Sequence, residues 1–231
     1  MKNALITGAS RGLGLALARG LAQDGWGLII DARGRAALEK ARLELAGYTH
    51  VISIPGSVTT EAHRRKLAQA AHDVGGLDLL VNNASYLGSS PQPGLLDYPL
   101  EVLEQVYRTN VIAPLAVIQA ARSELKPAAC IINVTSDAGV EAYAGWGGYG
   151  SSKAALEHLP AILAQENHDL RIYWVDPGDM QTQMQQEAFP GEDISDRALP
   201  EESVPGLMAL IEGRQPSGRY RARQLTEQNS Q

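Results

Sequence analysis

Short apolar runs alternate with longer stretches of helical period along most of this chain. The runs predict strands at residues 3–7, 27–30, 50–54, 77–81, 130–134, 170–175 and 218–221. Fully apolar short strands divided by helices are typical of a parallel sheet that is covered on both faces. Right-handed crossovers then predict a doubly wound α/β fold of the Rossmann kind.

The organisation of the chain predicts one domain. No internal repeat, linker or break in composition interrupts it. We therefore expect a single domain over residues 1–223 and a polar carboxyl-terminal tail over 224–231. The two longest helical stretches, 100–124 and 149–166, contain Pro114 and Pro160, and a proline inside a helix predicts a bend.

Charge and cysteine content narrow the class of protein. The 231 residues carry a net charge of −6 without any basic tail, which argues against a nucleic-acid partner. The single cysteine, Cys130, excludes an intramolecular disulfide and suits a reducing compartment. The first strand begins at Asn3, which leaves no room for a signal peptide, and no apolar stretch approaches the length of a membrane span. A cytoplasmic protein without a membrane partner is expected.

Three glycines follow the first strand, in the stretch TGASRGLG at 7–14. Gly8, Gly12 and Gly14 stand between a strand that ends at Thr7 and a helix that begins near Leu13. In a doubly wound sheet this turn is the usual phosphate site, and helix N-termini favour anions. The spacing G-x3-G-x-G differs from G-x-G-x-x-G and from a P-loop. The turn predicts a pyrophosphate site, with an ordinary tight turn as the alternative.

A second set of polar residues follows the fifth predicted strand. Ser136 ends that strand, and Tyr149 begins the next helix 13 residues later. Tyr149 and Lys153 lie four residues apart, so a helix presents them on one face. Taken alone, such a pair is more often a core tyrosine beside a solvated lysine. The order of the three residues, at the same sheet end as the glycine turn, favours a catalytic role.

Together these motifs resemble the short-chain dehydrogenase/reductases of the classical type. The resemblance extends from Thr7 to about Ile211. It rests on TGASRGLG, NNA at 82–84, Asn110, Ser136, the Tyr149/Lys153 pair and DPGDMQT at 176–182. The joint match, in the family's order and spacing, is far more specific than any of its parts.

The resemblance implies a role for each residue of the catalytic set. Tyr149 would donate and accept the proton, while Lys153 would lower the pKa of that phenol and hold the nicotinamide ribose. Ser136 would polarise the substrate oxygen, and Asn110 would hold a water that links Lys153 to solvent. An N-cap or turn role for Ser136 and a polar helix-start role for Asn110 are the alternatives.

The resemblance also implies a cofactor site and an assembly. We expect a homodimer or homotetramer through the helices at about 100–124 and 149–166. The five histidines show no metal-ligand spacing, and no metal is expected. The implied cofactor contacts, beyond Tyr149 and Lys153, are Gly8, Ser10, Arg11, Gly12, Leu13, Gly14, Arg33, Ser57, Val58, Asn83, Ala84, Pro177, Gly178 and Thr182.

The chain departs from the family pattern at two places. Ser85 follows Asn83-Ala84 where the family usually has glycine, which puts a hydroxyl close to the cofactor. After the third strand, Ser57-Val58 replaces the usual Asp-Val, so the contact to the adenine amino group is in doubt.

The second strand predicts which nicotinamide cofactor binds. The family's ribose-binding acid falls 18 residues after the last loop glycine, at Ala32 here. Asp31 is one residue earlier and should point to the opposite side of the strand. Ala32 does not repel a 2′-phosphate, and Arg33 and Arg11 are cations within reach. These residues predict NADP(H) over NAD(H), unless both arginines are ordinary surface charges.

We expect the substrate pocket among the loops at the carboxyl ends of the strands, since such loops carry specificity. The segment from Met180 to Leu199 is expected to be a mobile lid. An apolar carbonyl compound or the corresponding alcohol is the expected substrate. Two alternatives remain: a dinucleotide-binding redox sensor or scaffold without turnover, and an epimerase or dehydratase on a related fold. Core filling is the alternative for each pocket candidate: Tyr86, Leu87, Tyr143, Trp146, Met180, Met184 and Phe189.

Overall fold

A computed structural model describes residues 1–213 and 215–228, with the backbone alone for 226–228. The described strands form one parallel sheet in the order β3-β2-β1-β4-β5-β6-β7. The predicted single-domain, doubly wound α/β fold is confirmed. The strands are β1 (Asn3–Ile6), β2 (Gly27–Ala32), β3 (Val51–Pro55), β4 (Leu77–Asn82), β5 (Leu125–Val134), β6 (Arg171–Asp176) and β7 (Gly218–Arg221).

Helices cover both faces of the sheet. As a result, β1, β2 and most of β4 and β5 are buried on both sides. The α-helices are α1 (Gly12–Gln23), α2 (Arg35–Leu45), α3 (Glu61–Asp73), α4 (Leu100–Tyr107), α5 (Ala113–Ala121), α6 (Gly147–Glu166), α7 (Gln183–Ala188), α8 (Val204–Glu212) and α9 (Ala222–Gln228). One apolar core joins the sheet to α1, α2 and α8, and a second core joins it to α3, α5 and α6.

The strand order reverses between β1 and β4. From β1 the chain builds outward to β3 and then crosses back to place β4 on the other side of β1. Ligands of doubly wound sheets bind in the crevice outside the carboxyl ends of the strands at such a switch point. The glycine turn after β1 and the Asn-Asn-Ala turn after β4 therefore meet at one end of the sheet.

The helical stretch predicted over 100–124 is interrupted. A π-turn over Arg108–Ile112 separates α4 from α5, and a 3₁₀ turn over Arg122–Glu124 follows. Pro114 explains the position of the π-turn, because proline has no N–H to donate to the carbonyl of Asn110 four residues earlier. Pro160, in contrast, lies inside α6, which is assigned as one helix from Gly147 to Glu166.

Two ends of predicted elements differ from the structure. β5 begins at Leu125, not at 130, and its irregular first half contains Ala128 at a φ of 59°. Helix α9 begins at Ala222 where a polar tail is predicted from 224. Ala222 is buried and Leu225 packs against the core, which explains the added helix. Residues 229–231 of the predicted tail lie outside the described residues.

Within the described part of the chain, no helix combines the length and the apolar character needed to span a bilayer.

Candidate active site

The glycine turn is fixed by hydrogen bonds to the turn after β4. The Asn83 side-chain amide donates to the carbonyls of Thr7 and Gly8 at 2.9 and 3.1 Å. The Thr7 hydroxyl oxygen accepts from the main-chain N–H groups of Asn83 and Ala84, both at 3.0 Å. These bonds join the two turns on either side of the switch point into one rigid unit.

The three positions of the turn require glycine for different physical reasons. A Cβ on Gly14 would lie 2.5 Å from Asn83 Nδ2 and 2.7 Å from the Gly8 carbonyl, and a Cβ on Gly8 would lie 2.8 Å from the Ala84 Cα. Packing between the two turns therefore requires these two glycines. Gly12 has a φ of +56°, and its Cβ would meet only a Thr182 methyl at 3.5 Å. Gly12 is thus the glycine that leaves open space beside the backbone.

Gly14 differs from the other two glycines of the turn in its position relative to the cavity. A cavity of about 1510 Å³ extends along the carboxyl end of the sheet, and Gly8 and Gly12 line it whereas Gly14 does not. Its place is behind the turn, where it makes room for Asn83. Helix α1 begins at the cavity without a side-chain cap at its N-terminus, so its first N–H groups are available to an anion.

The alternation of side chains along β2 predicts Asp31 on the far side of the strand. Asp31 instead lies in the wall of this cavity. One carboxylate oxygen accepts from the Gly8 N–H at 2.8 Å, and the other lies 2.8 Å from His63 Nε2. Asp31 and His63 are both buried. The carboxylate therefore holds the glycine turn and has a protein partner at each oxygen, which agrees with the inference that it does not hold a ribose.

Arg33 and Arg11, the two cations expected to reach a 2′-phosphate, have different contacts. Arg33 is exposed and lines the cavity, directly before the N-terminus of α2. Arg11 also lines it, but its guanidinium donates to the side-chain oxygen of Gln183 on α7. Arg11 thus connects the glycine turn to the segment expected to be a lid. Ser57 and Val58 line the same end of the cavity.

Ser136, Tyr149 and Lys153 line the other end of this cavity. Strand β5 ends just before Ser136, and the first turns of α6 carry the other two residues. The Lys153 ammonium donates to the Val134 carbonyl at 2.7 Å and lies 5.4 Å from the centre of the Tyr149 ring. One cavity therefore joins the glycine turn to a phenol and an ammonium.

The groups around Tyr149 act on its ionisation in opposite directions. Burial raises the pKa of the Tyr149 phenol, a hydrogen bond from Ser85 lowers it, and the carboxylates of Asp137, Asp176 and Asp179 raise it further. The protein's own groups therefore keep the phenol protonated. Burial lowers the pKa of Lys153 to about 8, and the charge of Glu157 opposes this shift.

Ser136 is hydrogen-bonded to its neighbour. Its hydroxyl donates to Asp137 Oδ1 at 2.9 Å and accepts from the Ala138 N–H at 3.2 Å, in an N-cap arrangement. The turn role considered as an alternative is therefore present. To polarise a substrate oxygen, the hydroxyl has to rotate away from Asp137.

Asn110 does not line the cavity, and its side chain is fully engaged. Its amide nitrogen donates to the Tyr86 carbonyl and to the Ser152 hydroxyl, both at 2.9 Å. Its oxygen accepts from the Tyr86 N–H at 2.8 Å and from the Ser85 hydroxyl at 3.1 Å. Because both amide hydrogens are used, a water cannot take one of them, and the side chain positions the loop that carries Ser85.

Apolar side chains surround the phenol on the substrate side. Trp146 contacts the ring of Tyr149 edge-on, with the ring centroids 5.8 Å apart. On its other side, the centroids of the Trp146 and Phe189 rings are also 5.8 Å apart. The Tyr143 hydroxyl lies within hydrogen-bond distance of the carboxylates of Asp137 and Glu141 and can donate to one of them at a time, so this aromatic also has a polar side. The predicted pocket candidates all line the cavity: Tyr86, Leu87, Tyr143, Trp146, Met180, Met184 and Phe189.

Comparison with known proteins decides the family. A family model described as short chain dehydrogenase matches residues 2–193. The chain belongs to the short chain dehydrogenase family. It is therefore related to oxidoreductases, and the predicted family resemblance is confirmed.

Individual relatives agree with this family assignment. The chain is 35% identical over 195 residues to a rhamnolipids biosynthesis 3-oxoacyl-[acyl-carrier-protein] reductase of Pseudomonas aeruginosa, covering 78% of this chain and 73% of that protein. A short chain dehydrogenase structure from Pseudomonas syringae superposes with a TM-score of 0.89 at 31% identity, covering 96% and 94% of the two chains. Another from Shigella flexneri, complexed with NADP, gives a TM-score of 0.86 at 26% identity, covering 96% and 97%.

The structure also reveals site residues of this short chain dehydrogenase that sequence reasoning missed. Glu157 accepts from the Thr135 hydroxyl at 2.7 Å and pairs with Arg219 of β7 at 3.0 Å, behind Lys153. Glu157 lies four residues after Lys153, a helical spacing that could have indicated it. Its partner on β7 is 62 residues away in sequence, and no local pattern points to that contact. In residues 1–213 and 215–228 no cluster of three or more histidine, cysteine or acidic side chains is arranged to bind a metal.

Proposed function

We propose that this chain is an NADP(H)-dependent oxidoreductase that interconverts a ketone or aldehyde and the corresponding alcohol. The observation that carries the proposal is the continuous cavity lined by Gly12 at one end and by Ser136, Tyr149 and Lys153 at the other. A nicotinamide dinucleotide bound there supplies the hydride and, once oxidised, a positive charge.

The residues of the cavity fit such a dinucleotide. The open backbone at Gly12 and the uncapped start of α1 suit a pyrophosphate. Thr182 and Pro177-Gly178 line the cavity near the nicotinamide end of the proposed site, as the family pattern implies. Lys153 would hold the ribose hydroxyls through its ammonium.

Tyr149 acts as the proton donor in the proposed reduction. Its phenol stays protonated because burial and three carboxylates raise its pKa, so a proton is available at the hydroxyl. As the carbonyl carbon accepts the hydride, the O–H bond of Tyr149 breaks and the proton moves to the developing alkoxide. The Ser136 hydroxyl orients the same oxygen after it leaves Asp137.

The preference for NADP(H) is argued from Arg33 and Ala32. Arg33 lines the cavity and, within the described part of the chain, forms no ion pair, so its guanidinium can meet a 2′-phosphate. The Asp31 oxygens already have protein partners in the Gly8 N–H and the His63 ring, which argues against Asp31 as a ligand of the ribose hydroxyls. The NADP complex of the Shigella flexneri relative is consistent with this preference.

The apolar lining supports a largely apolar carbonyl substrate. Tyr149 belongs to a small apolar cluster with Leu87 and Ala138, against which Trp146 and Met184 pack. We expect the segment 180–199, which carries Met184 and Phe189, to act as a lid. Its ends are tied by the pairing of Met180 with Ala198, so closure would involve the part between them.

A panel of ketones, aldehydes and alcohols, followed by absorbance with NADPH, NADP⁺ and the non-phosphorylated forms, tests the proposal. Turnover that requires Tyr149 supports it. Tight cofactor binding without turnover on any compound favours the redox sensor, and inversion or loss of water without net cofactor consumption favours the epimerase or dehydratase.

We also propose that the chain forms a homodimer or homotetramer through α4, α5 and α6. Leu100 on α4, Ile112 in the π-turn between α4 and α5, and Ile162 on α6 are exposed, at 71%, 58% and 43% of their surface. Light scattering after gel filtration tests the assembly. A cytoplasmic location is proposed as well, since the single cysteine, Cys130, is free and buried, and a chain without a disulfide suits a reducing compartment.

A further inference from the structure

Thr135 lies between the residue that binds the Lys153 ammonium and the candidate catalytic serine. The carbonyl of Val134, just before it, accepts from Lys153 at 2.7 Å, and Ser136, just after it, lines the cavity. Thr135 is itself buried, and its N–H donates to the Val175 carbonyl of β6 at 2.8 Å. Because these three residues are consecutive, any shift of Thr135 would displace both the Lys153 acceptor and Ser136.

Glu157 holds the Thr135 side chain from α6, one helical turn beyond Lys153. The Thr135 hydroxyl donates to Glu157 Oε1 at 2.7 Å. Arg219 of β7 fixes the same carboxylate, because its Nε lies 3.1 Å from Oε1 and 3.0 Å from Oε2. Only 12% of the Glu157 side chain and 24% of the Arg219 side chain are exposed, so water competes little for these groups. The carboxylate is therefore held in one place relative to Thr135.

Arg219 also faces the segment that follows β6. Its Nη2 lies 3.6 Å from Asp176 Oδ2, which makes a second ion pair. The other oxygen of Asp176 accepts from the Gly178 N–H at 2.9 Å, and Gly178 lines the cavity. One guanidinium on an edge strand of the sheet thus holds two carboxylates, and each carboxylate binds a segment that follows a different strand.

We infer that Glu157 is a positioning residue: its hydrogen bond to Thr135 fixes the segment 134–136 for the reaction. This inference rests on the proposed function, since Ser136 and Lys153 are the groups proposed to act on the substrate oxygen and the nicotinamide ribose. Glu157 lies outside the lining of the cavity, so it acts through Thr135 and not by touching cofactor or substrate. Loss of the bond should therefore slow turnover more than it weakens cofactor binding.

The first test separates the hydrogen bond from the ion pair in the kinetics of carbonyl reduction. Thr135→Val removes the hydroxyl but keeps the Glu157–Arg219 pair, whereas Glu157→Ala removes both. A misplacement of about 1 Å can cost about 100-fold in rate, so each variant should lower kcat by about 10–100-fold. The KM for NADPH should change much less, because the cofactor phosphates are proposed to bind at the distant glycine turn.

Conservative variants and a double variant show whether the bond itself matters. Thr135→Ser keeps a hydroxyl and Glu157→Gln keeps an acceptor oxygen, so both should recover most of kcat. The rates are compared well below the Lys153 pKa of about 8, where loss of the Glu157 charge leaves the ammonium protonated. Thr135→Val combined with Glu157→Ala should be no slower than Glu157→Ala alone, since both changes remove the same bond. Additive losses in the double variant would overturn the inferred route through Thr135.

Asp78→Ala is the matched control, because it breaks a similar ion pair at the opposite end of the sheet. Asp78, near the start of β4, accepts from the Lys126 ammonium at 2.8 Å, with 28% and 33% of these side chains exposed. Both Asp78→Ala and Glu157→Ala should lower the free energy of unfolding, but only Glu157→Ala should lower kcat. A loss of stability with an unchanged kcat in both variants would show that Glu157 is merely structural.

The second test requires no turnover. Hydrogen exchange followed by mass spectrometry measures the protection of the amides of residues 134–138. Glu157→Ala and Thr135→Val should each speed exchange there by about ten-fold or more, and Thr135→Val serves alone if Glu157→Ala does not fold. Unchanged exchange would overturn the role of Glu157. Absence of wild-type turnover on every carbonyl and alcohol would overturn the proposed function, while the exchange measurement would still report on Glu157.

Discussion

The side-chain nitrogen of Asn83 occupies the space that a Cβ atom on Gly14 would need, 2.5 Å from that position. The same nitrogen donates to the carbonyls of Thr7 and Gly8, so it cannot move without breaking both bonds. A glycine that belongs to a phosphate-binding motif is thus required by the packing of two protein turns. Gly12 has open space beside it, and it is the glycine that we propose for the close approach of the cofactor to the backbone.

Alanine substitutions at Gly14 and Gly12 should distinguish a glycine required by packing from one required by cofactor binding. Gly14→Ala should lower the free energy of unfolding by about 1–3 kcal/mol, the usual effect of overpacking. Gly12→Ala should lower it by only about 1 kcal/mol, for a left-handed residue, but should weaken NADPH binding at least about ten-fold. Urea unfolding and a fluorescence titration measure the two effects, and Gly94→Ala, with no atom near the new Cβ, is the control. Equal effects of both variants on binding and stability would contradict the assignment.

Removal of the Tyr149 hydroxyl should abolish most of the activity. Tyr149→Phe keeps the ring that packs against Trp146 but has no proton to donate, so kcat/KM should fall by about 10²–10⁴-fold. NADPH binding should persist because the ring is retained. Oxidation of NADPH with the active carbonyl measures the first effect, and Tyr48→Phe, an exposed tyrosine, is the control. Retained turnover would exclude Tyr149 as the donor.

Arg33→Ala should weaken the discrimination between the two nicotinamide cofactors. Loss of a charge-assisted bond to the 2′-phosphate should raise the KM for NADPH by about 10–100-fold and leave that for NADH unchanged. Arg11→Ala should add to this effect only if Arg11 leaves Gln183 when NADPH binds. Arg65→Ala on α3, whose guanidinium pairs with Glu61, is the matched control. An unchanged ratio of the two KM values would rule out Arg33 as the determinant.

The buried Lys153 should make the stability of the protein depend on pH. Burial lowers its pKa in the folded chain from 10.5 to about 8, so between these values the unfolded chain binds a proton that the folded chain does not. The free energy of unfolding should then rise with pH by about 1.4 kcal/mol per unit in this window, relative to Lys153→Met. Urea titrations at successive pH values test this, with Lys40→Met, on the exposed face of α2, as the control. A flat difference would show that Lys153 is not desolvated.

Local patterns in the chain were sufficient for the fold, because strand length, apolar character and the order of the motifs follow from neighbouring residues. They also predicted Ser136, Tyr149 and Lys153 at one end of the sheet, and these residues line one cavity. Their catalytic roles stay predictions. Two features could not be predicted from local patterns: the start of β5 and the helix after β7. The start of β5 depends on the pairing of Leu125 with Leu77, and the helix after β7 depends on the burial of Ala222. Both contacts join parts of the chain that are distant in sequence.

The sequence by itself determined the doubly wound sheet, the family and the residue types at the carboxyl ends of the strands. Only the tertiary structure decided what those residues touch. It directed Asp31 to Gly8 and His63, the Asn110 amide to Tyr86 and Ser152, and Ser85 to Asn110. The physical reason is that hydrogen bonds in this site join turns after different strands. Their geometry depends on how the strands are ordered in space, whereas a motif records only the order of residues along the chain.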